Sequence, residues 1–209
     1  YERRQIVNAC CYVVRAGCAW RLLPKSFPPW QAVYMSFKRW AAAGTFETMH
    51  DRLRQQWRER VGKAPEPTAA IIDAQSVRGT AQGGDNGFDA GKQVKGRTRH
   101  LVVDTLGLLA ARRVTAASVQ DRDTAAEAAA KAGAKVPGLA KLYTDSAYGG
   151  QCAFAIEKTH GISVEVVRHP GNRATGTWQD PQQPLWPEVV AKGFVVQAKR
   201  WVVERTHAW

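Results

Sequence analysis

No apolar run in the 209 residues reaches the ~20 that a bilayer-spanning helix needs. A secretory leader is missing too: the chain opens on "YERRQIVNACCYVV", which is charged and then amphipathic. Cysteine is scarce and poorly spaced for chemistry. Cys10, Cys11 and Cys18 crowd one end, Cys152 stands alone, and no C-x-x-C pair exists. That speaks against a zinc framework and for packed, reduced thiols in a cytoplasmic protein. There is no internal repeat and no low-complexity segment beyond a short alanine run. Acid is in deficit as well: 18 Asp and Glu face 30 Lys and Arg, a net charge of +12. The deficit concentrates in residues 1–64, where 4 acids face 12 bases. A strongly basic chain without a membrane anchor points to a polyanion, most often nucleic acid. The first residue is Tyr1 rather than Met, and "VVERTHAW" stops in mid-pattern, so a piece of a longer protein is expected.

What is present reads as a small helical module followed by a larger mixed domain. Residues 2–16 carry Ile6, Ala9, Cys10, Val13 and Val14 on one helical face. The turn-rich "WRLLPKSFPPW" leads into a second helix over 30–43, striped by Trp30, Val33, Tyr34, Phe37 and Trp40, with Lys38 and Arg39 at its far end. That aromatic stripe reads as core rather than as a base-stacking surface. Thr45 is placed to cap a third helix through about residue 61, with Phe46, Met49, Leu53 and Trp57 inward. "VGKAPEPTA" is a linker, which sets the expected domains at 1–64 and 65–209. Beyond it "AAIIDAQSV" reads as a strand, 80–96 as a glycine-rich loop and 99–118 as two strands joined by a Leu-Gly turn. Residues 121–133 form an alanine-rich helix with acids in its first turn, and "AKLYTDS" a strand. Residues 149–161 read as a helix, 162–170 as a strand, 171–188 as loop, and the end as helical from about Val195. Three strands with short links make an antiparallel meander, and the later strands, separated by helices, pair in parallel. The fold class is α/β, a mixed five-stranded sheet with flanking helices.

Asp73 breaks the first strand directly behind two isoleucines, and Asp145 ends the fourth. The strand order sets them side by side in the sheet. Glu204 lies in the last helix between Trp201 and Arg205. Three acids brought together in apolar surroundings repel, and a divalent cation removes that repulsion. Mg²⁺ takes such hard oxygen ligands while keeping waters and substrate phosphates. Two ions about 4 Å apart activate an attacking oxygen and stabilise a leaving one at a phosphodiester. Spacing alone leaves open that each acid is merely a strand end or a helix surface.

Five blocks in order carry a resemblance: "RAGCAWRLLPKSFPPWQAVYMSFKRWAAAGTFE", "IIDAQSVRG", "VKGRTRHLVVDTLGLL", "LYTDSAYGG" and "KRWVVERTHAW". Together they resemble bacterial insertion-sequence transposases of the DDE type, the insertion-sequence family numbered five within the broader family-four-like superfamily. The resemblance implies a ribonuclease-H-like catalytic domain after the small helical domain. It implies Asp73, Asp145 and Glu204 as catalytic residues and as ligands of two Mg²⁺ (or Mn²⁺). It implies nicking of DNA at the transposon ends (terminal inverted repeats) followed by attack of the freed 3′-OH on target DNA. It also implies assembly as a homodimer or higher oligomer, in the cytoplasm and on the nucleoid. In the related Tyr-x-x-Arg-x-x-x-Glu pattern Arg200 takes the Arg position and Gln197 stands at the Tyr position.

Further DNA contacts are expected from Arg200 and Arg205, from Lys95, Arg97 and Arg99 along the second strand, and from Lys38 and Arg39. Asp104 reads as a strand end before a turn. His100, His160 and His169 read as structural. The alternatives are an inactive transposase-derived DNA-binding protein, or a metal nuclease of the same fold that only hydrolyses.

Overall fold

Helical spacing of apolar residues builds the first compact unit, Tyr1–Arg60. It holds α1 (Arg3–Ala16), α2 (Trp30–Ala42) and α3 (Thr45–Arg60), with a 3-10 turn at Trp20–Leu22. The computed structural model describes residues 1–80, 84–167 and 199–208. Ile6, Ala9, Cys10 and Val33 are buried, and Trp20, Leu23, Phe27, Phe37 and Trp40 pack around them. The aromatic stripe of α2 is therefore core, as expected, with the Trp20 and Phe37 rings 5.1 Å apart.

α3 departs from expectation beyond its first turn. Phe46 does join the cluster, 5.5 Å from Phe37. Met49, Leu53 and Trp57, expected inward, are 39, 55 and 50% exposed, while Arg54 and Arg58 are buried. The aromatic cluster that shelters Phe46 does not extend along the helix, so apolar periodicity there finds no cover. The buried face is the one on which Arg54 meets Asp51 at 3.1 Å.

The second unit, Val61–Trp209, is built on a mixed sheet. Its strands are β1 (Ala69–Arg78), β2 (Gly87–Asp89), β3 (Val94–Asp104), β4 (Leu109–Ala116), β5 (Lys141–Thr144) and β6 (Ser163–Val166). β3 pairs antiparallel with β1, β2 and β4. β5 pairs in parallel with both β1 and β6. An antiparallel meander running into two parallel strands is the ribonuclease-H-like arrangement that the resemblance implies. β2 is a sixth strand inside what the sequence reads as loop. At three residues between glycines it is too short for period-2 alternation to register.

Alternation along the strands gives the sheet two apolar faces. On one, Ala70, Ile72, Val102 and Leu142 meet α4 (Asp121–Lys135) and α5 (Gln151–His160). The buried residues of α4 there are Ala125, Ala128, Ala129 and Ala132, small side chains that let the helix lie close to the sheet. On the other, Ile71 and Val103 receive Val202 and Val203 of α6 (Arg200–Ala208). Burying each such valine contributes about 1.5–3 kcal/mol toward holding the nine-residue helix against the sheet.

The last helix is described from Arg200 onward. Lys199 has φ +66°, a left-handed value no helix interior tolerates, so the described helix begins at Arg200. Residues 195–198 and Gln197, like His169 and the loop 171–188, lie outside the described residues. Two contacts tie α6 to the β3–β4 turn: Arg205 Nη2 donates to the Leu106 carbonyl at 2.8 Å, and Thr206 Oγ1 to the Gly107 carbonyl at 3.0 Å. The turn itself is held by Asp104, fully buried, whose Oδ1 accepts from the Leu106 and Leu108 amides. Asp104 thus ends its strand, as read from the sequence. Gly107 is required there: its φ is +86°, and a Cβ would sit 2.8 Å from the Arg205 guanidinium. No helix among the described residues is long and apolar enough to cross a membrane.

Candidate active site

Register brings the first two acids together. β1 and β5 run in parallel with Ile71 opposite Tyr143. Carried two residues on, the same offset sets Asp73, midway along β1, level with Asp145, which follows directly on the carboxyl end of β5. Ligands gather at that end of parallel strands. Asp145 Oδ1 accepts from the Ala147 amide at 2.8 Å and caps the 3-10 turn Ser146–Tyr148. Beneath it the Tyr148 hydroxyl is buried, and burial, with Asp121, Asp73 and Asp145 nearby, keeps it protonated.

α6 delivers the third acid. Arg200, Glu204 and His207 follow at steps of four and three, hence on one helical face. Val203, on the adjoining line, is buried against the sheet and fixes that face over β1. Arg200 Nη2 lies 3.9 Å from Asp73 Oδ1 and 3.6 Å from Glu204 Oε1. His207 Nε2 lies 3.5 Å from Asp73 Oδ2. Glu204 is half exposed at 54%, whereas the Asp73 side chain is only 16% exposed.

The charges record this geometry. Burial pushes the Asp73 carboxyl up from 3.8 to about 6; Arg200 pulls it down, while Asp145 and Glu204 push it up further. Burial and the Arg99 guanidinium push His207 down, which keeps its ring neutral at pH 7. Lys199 closes the helix start, its Nζ 3.0 Å from the Tyr143 hydroxyl.

The basic residues expected to meet DNA fall in four places. Arg200 is central. Lys95, Arg97 and Arg99 alternate along β3 on the side that Asp73 shares, since Leu101, two residues beyond Arg99, faces Asp73 across the ladder. Arg99 donates to the Gln75 side-chain carbonyl, and Arg97 to the Gly84 and Asp85 carbonyls at 3.1 and 3.2 Å. Arg205 is engaged by the β3–β4 turn and lies over the Trp201 ring. Lys38 and Arg39 are exposed on α2 of the helical unit. His207 is the neighbour of Asp73 that the sequence reading passed over. The signal was available, because a residue three beyond a helical glutamate shares its face.

Among the described residues, no three acidic, histidine or cysteine side chains converge tightly enough, as they stand, to hold a metal ion. Each acid is turned to a protein partner instead: Asp145 to an amide, Glu204 to Arg200, Asp73 to Arg200 and His207. The donor set nevertheless suits a hard divalent ion. It is three carboxylates from three elements, hard oxygen donors of the kind Mg²⁺ takes, and the Asp73 carboxyl feels both of the others.

Comparison with known proteins agrees in extent and order. Residues 1–50 match a family model for transposases of the IS4/5 family, and residues 64–209 match the family described as transposase DDE domain. Among solved structures, similarity is found to the Mos1 transposase paired-end complex with left transposon end (10% identity, 78% of this chain, 58% of that one, TM-score 0.30). It is also found to the simian T-cell lymphotropic virus intasome in complex with PP2A regulatory subunit B56 gamma (15% identity, 48% of this chain, 32% of that one, TM-score 0.35). The chain thus spans about a third to somewhat over half of those two proteins. No curated protein matches it.

Proposed function

The chain belongs to the transposase DDE domain family over residues 64–209, and we propose on that premise that it cuts DNA at transposon ends and joins the freed strand to target DNA. The observation that carries this reading is the meeting of β1, β5 and α6. Asp73 and Asp145 are level on adjacent strands, and Arg200 bridges Asp73 to Glu204.

Asp73, Asp145 and Glu204 would hold two Mg²⁺ (or Mn²⁺) ions. Bound there, the ions would supply activation of the attacking oxygen and stabilisation of the leaving one at the phosphodiester. Burial would leave Asp73 partly protonated near pH 6, and it would have to be ionised to serve as a ligand. Arg200, released from the two carboxylates, has the bidentate fork to grip a phosphate beside the cut. His207, neutral and buried, steadies the far oxygen of Asp73. Arg99, Arg97 and Lys95 lead the DNA backbone away from the centre. The basic helical domain, residues 1–64, binds the transposon ends through α2, with Lys38 and Arg39 among its contacts. Two ends must be paired for transposition, so the working form is a homodimer or larger on DNA.

The test is cleavage and strand transfer on duplexes bearing the element's terminal repeats, with Mg²⁺ or Mn²⁺. Asp73→Asn should lose both reactions and keep DNA binding; retained cleavage would defeat the assignment. Hydrolysis without strand transfer would indicate a nuclease. Binding with neither reaction would indicate an inert derivative.

A further inference from the structure

Phe88, on β2, is 52% exposed, and its cross-strand partner on β3 is Lys95. Directly opposed residues of an antiparallel pair stand on the same side, so the two side chains rise from one side of the strand pair. They border a cavity of about 550 Å³ whose other lining residues are Arg78, Gly79, Thr80, Asn86 and Gln93. None of the seven is acidic, and two, Arg78 and Lys95, are cations.

The lining is built rather than incidental. Asn86 Nδ2 donates to the Thr80 carbonyl at 2.9 Å, and Gln93 Nε2 to the Ala90 carbonyl at 2.7 Å, which fixes both amides. Gly79 is needed for this: a Cβ there would run into the Asn86 side chain. Gln93 has φ +53°, an uncommon conformation outside glycine. Strain held at a non-glycine residue tends to mark places where a ligand is gripped.

Position supplies the rest. Lys95, Arg97, Arg99 and Leu101 share one side of β3, and Leu101 faces Asp73. At the rise of an extended strand, Lys95 lies about 20 Å from the level of the acids. The cations between are spaced at regular steps, so the cavity terminates a basic track that begins at the candidate catalytic centre.

We infer that this cavity binds an unpaired nucleotide of a single DNA strand running from the active site, with Phe88 stacking on its base and Lys95 and Arg78 meeting its phosphates. A duplex keeps its base faces stacked and cannot offer one to Phe88, whereas every unpaired base has a free π face. The fixed amides of Asn86 and Gln93 meet base edges. The inference rests on the transposase reading, because it needs DNA at the site. It adds that one strand leaves the centre unpaired.

The test uses the whole chain without divalent ions, so that nothing is cut. The probes are a mixed-sequence single-stranded oligonucleotide carrying 2-aminopurine and a blunt duplex of the same sequence. Phe88→Ala should weaken single-strand binding about 5- to 100-fold, abolish the quenching of 2-aminopurine and leave duplex binding within about 2-fold. Phe88→Trp should keep both affinity and quenching. Lys95→Ala should lower the slope of log affinity against log salt by about 0.7, whereas Phe88→Ala leaves that slope unchanged. Equal affinities and equal quenching in wild type and Phe88→Ala would overturn the inference and leave the transposase reading intact. So would equal losses on single strand and duplex. Failure of the wild-type chain to bind either probe would instead strike at the transposase reading itself. Phe88 is a half-exposed residue of an edge strand, and unchanged thermal melts would establish that its variants fold.

Discussion

Asp73→Asn should make the metal-free protein more stable at the same time as it abolishes cleavage. The carboxyl is raised from 3.8 to about 6, mainly by burial and with Asp145 and Glu204 adding to it. The folded state therefore holds the Asp73 proton more tightly than the unfolded chain does. Its contribution is complete below pH 4 and is lost as pH rises through 6, where the buried group must ionise. At about 1.36 kcal/mol for each tenfold change in proton affinity, the loss between pH 4 and 8 comes to about 3 kcal/mol. Asparagine keeps the shape and carries no charge. At pH 8 without metal, Asp73→Asn should exceed wild type by up to about 3 kcal/mol, or about 6–12 °C in melting temperature for a chain of this size. At pH 4 the two should coincide. Urea denaturation at both pH values, followed by circular dichroism, measures the difference and cancels every other titrating group. Adding Mn²⁺ at pH 8 should narrow the gap, because the ion binds the folded wild type and has lost a ligand in the variant. Equal stabilities at pH 8, or a less stable asparagine variant, would refute the picture of Asp73 as a buried carboxylate that the metal-free fold ionises at a cost.

Three other outcomes follow from the same geometry. Arg200→Ala should remove cleavage and move the fall in stability to higher pH, since Arg200 is what holds the Asp73 carboxyl down; the pH dependence of urea midpoints reads it. His207→Ala should weaken Mn²⁺ binding about 10- to 100-fold by calorimetry, as loss of a residue steadying a ligand does, and His207→Gln should recover most of it. Gly107→Ala should destabilise the second unit by about 1–3 kcal/mol in denaturant, because it strains a left-handed turn and displaces Arg205.

Much of the second unit can be read from residues alone, because its strands alternate cleanly and its punctuation is strong. The two isoleucines before Asp73 and the alanines of α4 announce their burial, and the Leu-Gly turn between β3 and β4 leaves little choice of pairing. Other features are long-range and leave no local trace. β2 is a strand only because β3 is beside it. Met49, Leu53 and Trp57 have the spacing of a buried stripe, and periodicity cannot report that no partner arrives to cover it. The start of α6 depends on the backbone at Lys199, which its side chain does not advertise. The three acids are visible as positions, and Arg200 as their companion. The nearness of His207 to Asp73 required knowing which face of α6 meets β1. Arg205 reads as a free cation until the β3–β4 turn is seen beneath it.

The pairing of β1 with β5 has a consequence for how this protein can vary. Asp73 and Asp145 reach the same level through a ladder of three paired residues, Ala69 to Ile71 against Lys141 to Tyr143. Everything threaded between them, the hairpins and the alanine helix included, contributes nothing to that alignment beyond returning the chain to its start. Insertions or deletions in those connections should leave the spacing of the acids untouched. One residue added inside β5 would turn Asp145 to the opposite side of the sheet.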